Sequence, residues 1–475
     1  MRRRYFYSRK YKKNKTYKSI LIRESYRDEN GKPQKRTIAN ISNWPKDVIE
    51  GLKKLLKGKK LIDINSDEAF VHKQGKSYGA IKTVFEISKR IGIVNALGRS
   101  DRAKSVLILI AGIIISSKKS KRFIANEWSK DQSIKEVFNY ESLLDENKLY
   151  SALDYLAKKQ SALEKKIWDF RTKQTNKKNT IFLYDITSSY VEGDNIAYSC
   201  YGYNRDKKRG KKQIVIGLLT DDKGIPMSVE VFEGNKRDFK TVKAQLDKLK
   251  KNFNVSNVVF VGDRGMIKSQ QIEEINDENW NYITGITKPQ IRKLIKDKVI
   301  QLEVFDHDLA EIKDGDIRYI LRINPLRKTE QITSLESRIS YLKDFVSEKN
   351  EYLAKHPRAK TSVALNKITS KSKKLNISKY VSFELSDRVL TIKENEEEIK
   401  GHNDLAGCYV LKTDVSRRRL TKDEVHEKYK DLYDIEENFK TLKTDFLNIR
   451  PVFVRKERHR YLSRKMSLNL IFSFI

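Results

Sequence analysis

Cysteine is almost absent from this chain of 475 residues, which contains only Cys200 and Cys408. Two cysteines cannot form a disulfide framework, and their scarcity favours a reducing compartment. The six histidines occur in no HExxH motif, so a common type of zinc site is not expected. Long apolar runs are also missing, because VLILIAGIII at 106–115 is shorter than a bilayer-spanning helix. These absences predict a soluble, cytoplasmic protein without a membrane partner, in which residues 106–115 form a buried helix.

Acidic residues are a minority, with 63 Asp and Glu against 99 Lys and Arg and a formal net charge of +36. Such a charge attracts acidic polymers, which makes nucleic acid the first partner to expect. A lysine-rich composition would also give a basic surface without function, but here the basic residues cluster. The first fifteen residues contain eight Lys or Arg, interleaved with aromatic residues and without an acid. This pattern suits phosphate contact and base stacking, and it predicts DNA contacts by Arg2, Arg3 and Arg4.

The periodicity of the apolar residues divides the chain into five regions. Residues 17–41 predict a β-hairpin that turns at Asn30-Gly31. The pattern is helical from 66 to 175, and four strand-like runs with one helix between 180 and 290 predict a mixed α/β sheet. We therefore predict a basic N-terminal hairpin region at 1–65, a helical DNA-binding region at 66–175, the first part of an α/β core at 176–290, a β-rich insertion at 291–415, and a core helix with a C-terminal segment at 416–475.

Two aspartates lie in or beside the predicted core strands. Asp185 lies within IFLYDITSSYV, where a charged side chain needs a cation or hydrogen-bond donors. Asp263 directly follows VVFVG, at the carboxyl end of a strand, where open α/β sheets place their ligands. Each could instead be structural, with Asp185 paired to a lysine and Asp263 to Arg264. Two acids at the ends of two core strands nevertheless predict a divalent-metal site.

The segment 421–446 has the period of an amphipathic helix. Thr421 and Glu424 fit a capping box, so the predicted helix begins there and continues without a break. One face of the helix is apolar and is formed by Leu432, Ile435, Phe439, Leu442 and Phe446.

Two adjacent acids in this helix point in different directions. Glu437 lies roughly opposite the apolar face, toward water, whereas Glu436 falls at the edge of that face. Glu436 shares its side of the helix with Tyr429, Tyr433, Lys440 and Lys443. Because only Glu436 can approach a site at the rim of the core, it is the better third ligand.

Three carboxylates suit metal-dependent phosphoryl transfer. Two divalent ions can bridge a phosphodiester and stabilise both the attacking and the leaving oxygen. Mg²⁺ prefers hard oxygen ligands and keeps several waters, so a few carboxylates suffice. The sequence therefore predicts two Mg²⁺ ions, with Mn²⁺ able to substitute, held by Asp185, Asp263 and Glu436.

In combination, these motifs resemble the DDE transposases of bacterial insertion sequences. The motif LYDITSSY corresponds to the family's first aspartate at Asp185, and VVFVGDRGM corresponds to its second at Asp263. A block between them also matches, through Gly202, Gln213, GLLTDDKGIP, VFEGN and Asp238. The resemblance implies an RNase H-like α/β core, similar to that of retroviral integrases, interrupted by a β-rich insertion.

The family's third acid lies in a Tyr-Arg-Glu-Lys signature. Tyr429, Glu436 and Lys443 have its spacing, whereas Leu432 occupies the arginine position. The resemblance implies that Tyr429 and Lys443 contact DNA near the scissile phosphate, and Lys440 on the same side is expected to contribute. It also implies a homodimer on double-stranded DNA, because two element ends are handled together.

The leading hypothesis is a nucleoid-associated transposase that binds terminal inverted repeats, cuts the element ends and transfers the strands to target DNA. The chain ends with the run RHRYLSRKMSLNLIFSFI, whereas the family usually continues with a further C-terminal region. The alternative is therefore a truncated, catalytically inactive DNA-binding protein derived from a transposase. A third reading is an RNase H-fold nuclease that hydrolyses DNA without joining it.

Overall fold

A computed structural model describes residues 3–9, 19–59, 78–116, 120–175, 180–193, 196, 198–301, 303, 305, 309–445 and 450–453 of the chain. The chain divides into two compact units, Met1–Gly75 and Lys76–Ile475. No helix among the described residues is long and apolar enough to cross a membrane.

The first unit contains a three-stranded antiparallel sheet and one helix: β1 (Arg3–Arg9), β2 (Ser19–Arg27), β3 (Pro33–Asn40) and α1 (Lys46–Leu56). The β2–β3 turn uses Gly31 at a φ of +76°, a conformation that favours glycine. The Asp28 side chain accepts hydrogen bonds from the backbone amides of Asn30 and Lys32 and closes the turn. The predicted hairpin is thus confirmed, and β1 adds a third strand to it.

The second unit begins with helices, which confirms the helical pattern predicted for this part of the chain. They are α2 (Tyr78–Arg90), α3 (Ile93–Leu97), α4 (Asp101–Ile115), α5 (Lys121–Asn126), α6 (Gln132–Phe138) and α7 (Glu146–Thr175). The run that was predicted to be a buried helix lies in α4, which is buried from Ser105 to Gly112. A Cβ atom on Gly112 would lie 2.8 Å from Ile124, so the glycine allows α5 to pack closely against α4.

Strands and helices then build the core. They are β4 (Ile181–Glu192), β5 (Gln213–Asp221), β6 (Pro226–Glu233), α8 (Val242–Lys251), β7 (Val259–Gly262), α9 (Ser269–Asn276), β8 (Asn281–Gly285), α10 (Lys288–Lys296), β9 (Ala310–Asp314) and β10 (Ile317–Ile323). Three strands, a helix and a fourth strand occur in the predicted order. β4 pairs antiparallel with β5 and parallel with β7, so the predicted mixed sheet is confirmed.

The composition predicted for 291–415 is wrong. Between β10 and the strand that follows lie α11 (Pro325–Lys355), α12 (Thr361–Lys374), β11 (Val381–Ser386), β12 (Val389–Glu394) and α13 (Glu396–Asp404), so this segment is mostly helical. Leu335, Ile339, Leu342 and Val346 line the buried side of α11, where they pack against α12 and the short β11–β12 hairpin. The described residues of the segment 299–305 form no strand. The remaining strands, β9, β10 and β13 (Cys408–Thr413), find partners in the main sheet instead of in a separate one.

The C-terminal elements return to the core as α14 (Lys422–Lys430), α15 (Leu432–Lys440), a π-helical turn (Thr441–Asp445) and β14 (Val452–Phe453). The sheet has the order β6-β5-β4-β7-β8-β13-β10-β9, and β14 pairs with the end of β4. The predicted capping box of Thr421 and Glu424 is present. The helix is not continuous, however, because it breaks at Asp431 between α14 and α15.

Candidate active site

The register of two parallel strands brings the predicted aspartates to the same end of the sheet. Tyr184 of β4 lies opposite Gly262, the last residue of β7. Asp185 and Asp263 are the next residues along their strands, so they are neighbours where β7 ends. The chain leaves the sheet at Asp263, which is exposed, whereas Asp185 lies inside the long central strand and is half-buried.

The side-chain alternation of β4 directs Asp185 toward α15. Tyr184 and Ile186 pack into the apolar cluster on the α8 face of the sheet. Asp185 therefore points to the opposite face, as Leu183 does. There Ile435 and Phe439 anchor α15 against the sheet, and Glu436 projects beside them.

One open cavity contains all three predicted carboxylates. Asp185, Asp263 and Glu436 line it together with Lys440 and Lys443. The other lining residues are Ile186, Thr187, Arg205, Asp238, Gly265, Met266, Phe439, Thr444 and Arg450. Five candidate site residues from the sequence, the three carboxylates and the two lysines, thus line one cavity although they come from three separate parts of the chain.

The carboxylates influence one another electrostatically. Burial, together with the negative charges of Asp263 and Glu436, raises the pKa of Asp185 to about 7. A carboxyl group in this setting is poorly stabilised as an anion unless positive charge is added. A bound cation would supply that charge.

Tyr429 lies beside the second aspartate. Its phenol donates a 2.9 Å hydrogen bond to Asp263 Oδ1, and burial and the Asp263 charge raise the pKa of Tyr429, so the phenol stays protonated. A Cβ atom on Gly285 would lie 2.7 Å from the Tyr429 hydroxyl, so the glycine at the end of β8 makes room for it. Leu432, at the family's arginine position, packs against the apolar core.

Lys443 is held by an aspartate that the sequence did not single out. Its Nζ lies 3.0 Å from Asp206 Oδ1, and Arg450 Nη1 lies 3.1 Å from the same oxygen. Asp206 Oδ2 also accepts a hydrogen bond from the backbone amide of Tyr190 in β4. The Asp206 side chain is only 2% exposed, so this contact is part of the cavity wall. In the sequence, Asp206 is marked only by its pairing with Arg205, and this pair belongs to no periodic pattern that would identify a site residue.

Two side chains of α15 have contacts that the sequence did not predict. The Tyr433 hydroxyl donates a hydrogen bond to Glu437, and Tyr433 is not among the residues that line the cavity. Lys440 lines the cavity as expected, but its Nζ also lies 3.6 Å from Glu437. Phe446 lies outside the described residues.

The predicted N-terminal contacts belong to the first unit. Arg3 and Arg4 lie in β1, and Arg2 lies outside the described residues. Their contribution to DNA binding stays a prediction.

Comparison with protein families shows which family this chain belongs to. A model of the transposase DDE domain matches residues 176–470, which is more than half of the chain, and a model of the N-terminal domain of IS1634 family transposases matches residues 7–66. The chain belongs to the DDE transposases. This confirms the resemblance seen in the sequence motifs.

Solved structures similar to this transposase also come from transposases. It matches a chain of the piggyBac transposase synaptic complex with hairpin DNA at 8% identity, covering 85% of this chain and 76% of that chain with a TM-score of 0.37. It matches the Mos1 transposase paired-end complex with left transposon end at 9% identity, covering 50% and 68% with a TM-score of 0.17. No curated protein matches the sequence.

DDE transposases generally use divalent metal ions, and the donor set of this transposase fits them. Asp185, Asp263 and Glu436 offer the hard oxygen ligands that Mg²⁺ and Mn²⁺ prefer. Among the described residues, however, no group of three or more His, Cys, Asp or Glu side chains is close enough to hold one ion. The three carboxylates share a cavity without forming a closed coordination shell, and their assignment as ligands stays a prediction.

Proposed function

We propose that this transposase binds the terminal inverted repeats of an insertion sequence, cuts DNA at the element ends and joins them to target DNA. The single observation that carries the proposal is the meeting of Asp185, Asp263 and Glu436 in one open, cation-rimmed cavity. Family membership supplies the reaction class, and this cavity supplies a place for it.

The proposed reaction has two phosphoryl transfers. Water attacks the scissile phosphodiester, and the 3′ oxygen leaves as a hydroxyl group. That 3′-hydroxyl then attacks a phosphodiester of the target and releases a new 3′-hydroxyl there. Bound divalent ions, held by Asp185, Asp263 and Glu436, would stabilise the negative charge that develops on the phosphate.

The other side chains of the cavity have roles that follow from their contacts. Tyr429 holds the Asp263 carboxylate in place through its 2.9 Å hydrogen bond. An ammonium group has three N–H donors, so Lys443 can contact a phosphate oxygen while it remains bound to Asp206. Lys440 adds positive charge at the same rim. The positive charges of Lys440 and Lys443 support their predicted DNA-binding roles, and we propose that Tyr429 contacts DNA from its place beside Asp263.

We also propose an RNase H-like core for this transposase. In chain order within the core, its first five strands stand in the order third, second, first, fourth, fifth. The first strand contains Asp185, and Asp263 directly follows Gly262, the last residue of the fourth strand. On this reading, residues 324–407 form an insertion between β10 and β13, and the basic N-terminal regions bind the element ends. Joining two ends in one event favours a homodimer on DNA.

The neighbouring glutamates of α15 test the proposal with a matched pair of substitutions. Glu436→Gln is expected to lower Mg²⁺-dependent cleavage of an end-containing duplex by about a hundredfold or more, because it removes one carboxylate from the cavity. Glu437→Gln is expected to change the rate by less than about twofold, since Glu437 contacts only Tyr433 and Lys440 in the described structure. Single-turnover cleavage of a labelled duplex measures both rates.

Glu436 and Glu437 are adjacent residues of α15, so a general loss of helix structure would lower the cleavage rates of both variants. Equal rates for the two variants would contradict the assignment of Glu436. DNA binding by the wild type without scission at any metal concentration would contradict the proposed activity itself.

A further inference from the structure

A second cavity lies beside the carboxylate cavity, between the core and the segment 324–407. Two adjoining pockets share Arg264, Lys288 and Gln331 in their walls and form one cleft. Arg338 of α11 and His402 of α13 line its far side. We call this the basic cleft, because Arg264, Lys288, Arg327 and Arg338 all line it.

The hydrogen bonds inside the basic cleft leave its positive charge uncancelled. Lys288 Nζ donates to the amide oxygen of Gln331 at 2.8 Å. Arg338 donates to the carbonyl oxygens of Ser334 and Leu375, at 2.9 and 3.1 Å. All of these acceptors are neutral. Half-buried cations with neutral partners cost free energy unless an anion joins them.

The one acid in the wall of the basic cleft is already engaged. Glu330 Oε2 lies 2.9 Å from Arg327 Nη1, which also lines the cleft, so one cation of the wall already balances this acid. The lining therefore keeps an excess of positive charge.

The position of Lys288 adds to this excess. It lies in the first turn of α10, where the helix dipole favours anions and disfavours cations. Burial, followed by the charges of Arg292, Lys379 and Arg264, lowers the pKa of Lys288. Burial and the charges of Lys288, Lys379 and Arg338 likewise lower the pKa of His402. The fold thus holds Lys288 close to other cations in a half-buried place, which is unfavourable for its charge.

The basic cleft lies close to the carboxylate cavity. Arg264 follows Asp263 directly in the chain, and its Cβ lies 3.8 Å from where a Cβ on Gly285 would be. The same position is 2.7 Å from the Tyr429 hydroxyl, which contacts Asp263. A DNA strand that leaves the carboxylates on this side therefore reaches Arg264 first and the rest of the basic cleft next.

We propose that the basic cleft binds the sugar–phosphate backbone of the DNA whose scissile bond lies at the carboxylate cavity. Arg264, Lys288 and Arg338 are the phosphate contacts, and the segment 324–407 closes one wall of the cleft. The ligand is a phosphodiester, since the wall offers several charged N–H donors, and the aromatic ring of the wall, Tyr409, is already stacked on His426. This inference rests on the proposed function, because it takes the DNA path from the proposed site of cleavage.

The double variant Lys288→Gln/Arg338→Gln tests the contact through its salt dependence. Each phosphate contact contributes about 0.9 to the slope of log affinity against log salt concentration, so the slope is expected to shrink by about 2. At a fixed moderate salt concentration, the affinity is expected to fall at least about fivefold, and equally for end-containing and unrelated duplexes. Fluorescence anisotropy of labelled duplexes over a salt series measures both quantities.

Three controls make the result specific. Lys343→Gln removes a cation from the same helix α11, but one that pairs with Glu394 at 2.6 Å, so its slope is expected to match the wild type. Lys288→Arg/Arg338→Lys keeps both charges and is expected to restore the slope. If the glutamine double variant does not fold, the exposed Arg264→Gln is expected to shrink the slope by about 0.9.

The outcomes separate this inference from the proposed function. A folded glutamine double variant with wild-type affinity and slope would overturn the basic cleft, even if the wild type cuts DNA. A reduced slope supports it, and Asp185→Asn is expected to keep the wild-type slope although it does not cut. A wild type that binds DNA through these cations but never cuts would contradict the proposed function and not the contact.

Discussion

Asp185→Asn is expected to lower Mg²⁺-dependent cleavage of an end-containing duplex by about a thousandfold or more, while DNA affinity changes by less than about twofold. The side chain keeps its size and loses its charge, at the most enclosed of the three carboxylates. The DNA affinity is expected to come from the many Lys and Arg side chains, so the loss of one carboxylate should change it little. Parallel cleavage and anisotropy measurements on the same duplex give the two numbers.

The stability of the same variant supplies its control. The pKa of Asp185 is raised to about 7, above the value expected in the unfolded chain. The wild-type carboxyl group is therefore protonated in the fold at low pH, and its contribution to stability is lost as the pH rises toward and through 7. Without metal at pH 8, Asp185→Asn is expected to melt at or above the wild-type temperature, with a smaller difference at pH 5. A variant that cuts at the wild-type rate would contradict the role of Asp185, and one that melts far below the wild type would leave Asp263→Asn as the test of the pair.

Lys248→Met is expected to lower the free energy of unfolding by about 3–5 kcal/mol, because it leaves a buried carboxylate without its cation. Lys248 Nζ of α8 lies 3.5 Å from Glu164 of α7 and 2.8 Å from Glu230 of β6. The Glu164 side chain is 3% exposed, and burial raises its pKa in spite of Lys248. This network joins the long helix α7 to the core sheet, beside the packing of Trp168 against Phe182 and Phe253.

Urea denaturation followed by tryptophan fluorescence measures this loss. Lys251→Met on the same helix is the matched control, since Lys251 is 75% exposed in its pair with Asp247. Its cost is expected to stay within about 0.5 kcal/mol. Adding Glu164→Gln to Lys248→Met is expected to recover part of the loss, because the stranded charge is removed. A loss below about 1 kcal/mol for Lys248→Met would show that the network is not needed for stability.

The parts of the site that follow from local periodicity could be predicted from the sequence. A continuous apolar run ending at VVFVG marks a buried strand, so Asp263 had to lie at its carboxyl end. The apolar spacing of α15 placed Ile435 and Phe439 inward and Glu436 beside them. Those two patterns were enough to bring Asp185, Asp263 and Glu436 into the same predicted site.

The parts that depend on contacts between distant segments could not. Asp206 reaches Lys443 across 237 positions of sequence, and no local pattern marks such a pair. The strand-like residues of β9, β10 and β13 look the same whether they form their own sheet or extend the main one. No helix-breaking residue marks the break at Asp431 either; α14 contacts β7, β8 and β10, whereas α15 contacts β4.

Strand joining tests the central claim most directly. The DNA that flanks the gene on both sides is incubated with the wild type, Mg²⁺ and a supercoiled target plasmid, and joined products are detected by amplification across the new junctions. The account predicts junctions that begin at the same terminal nucleotides in every product, that require the divalent metal, and that are absent with Asp185→Asn. Cleavage without any joined product, or equal joining by Asp185→Asn, would contradict it.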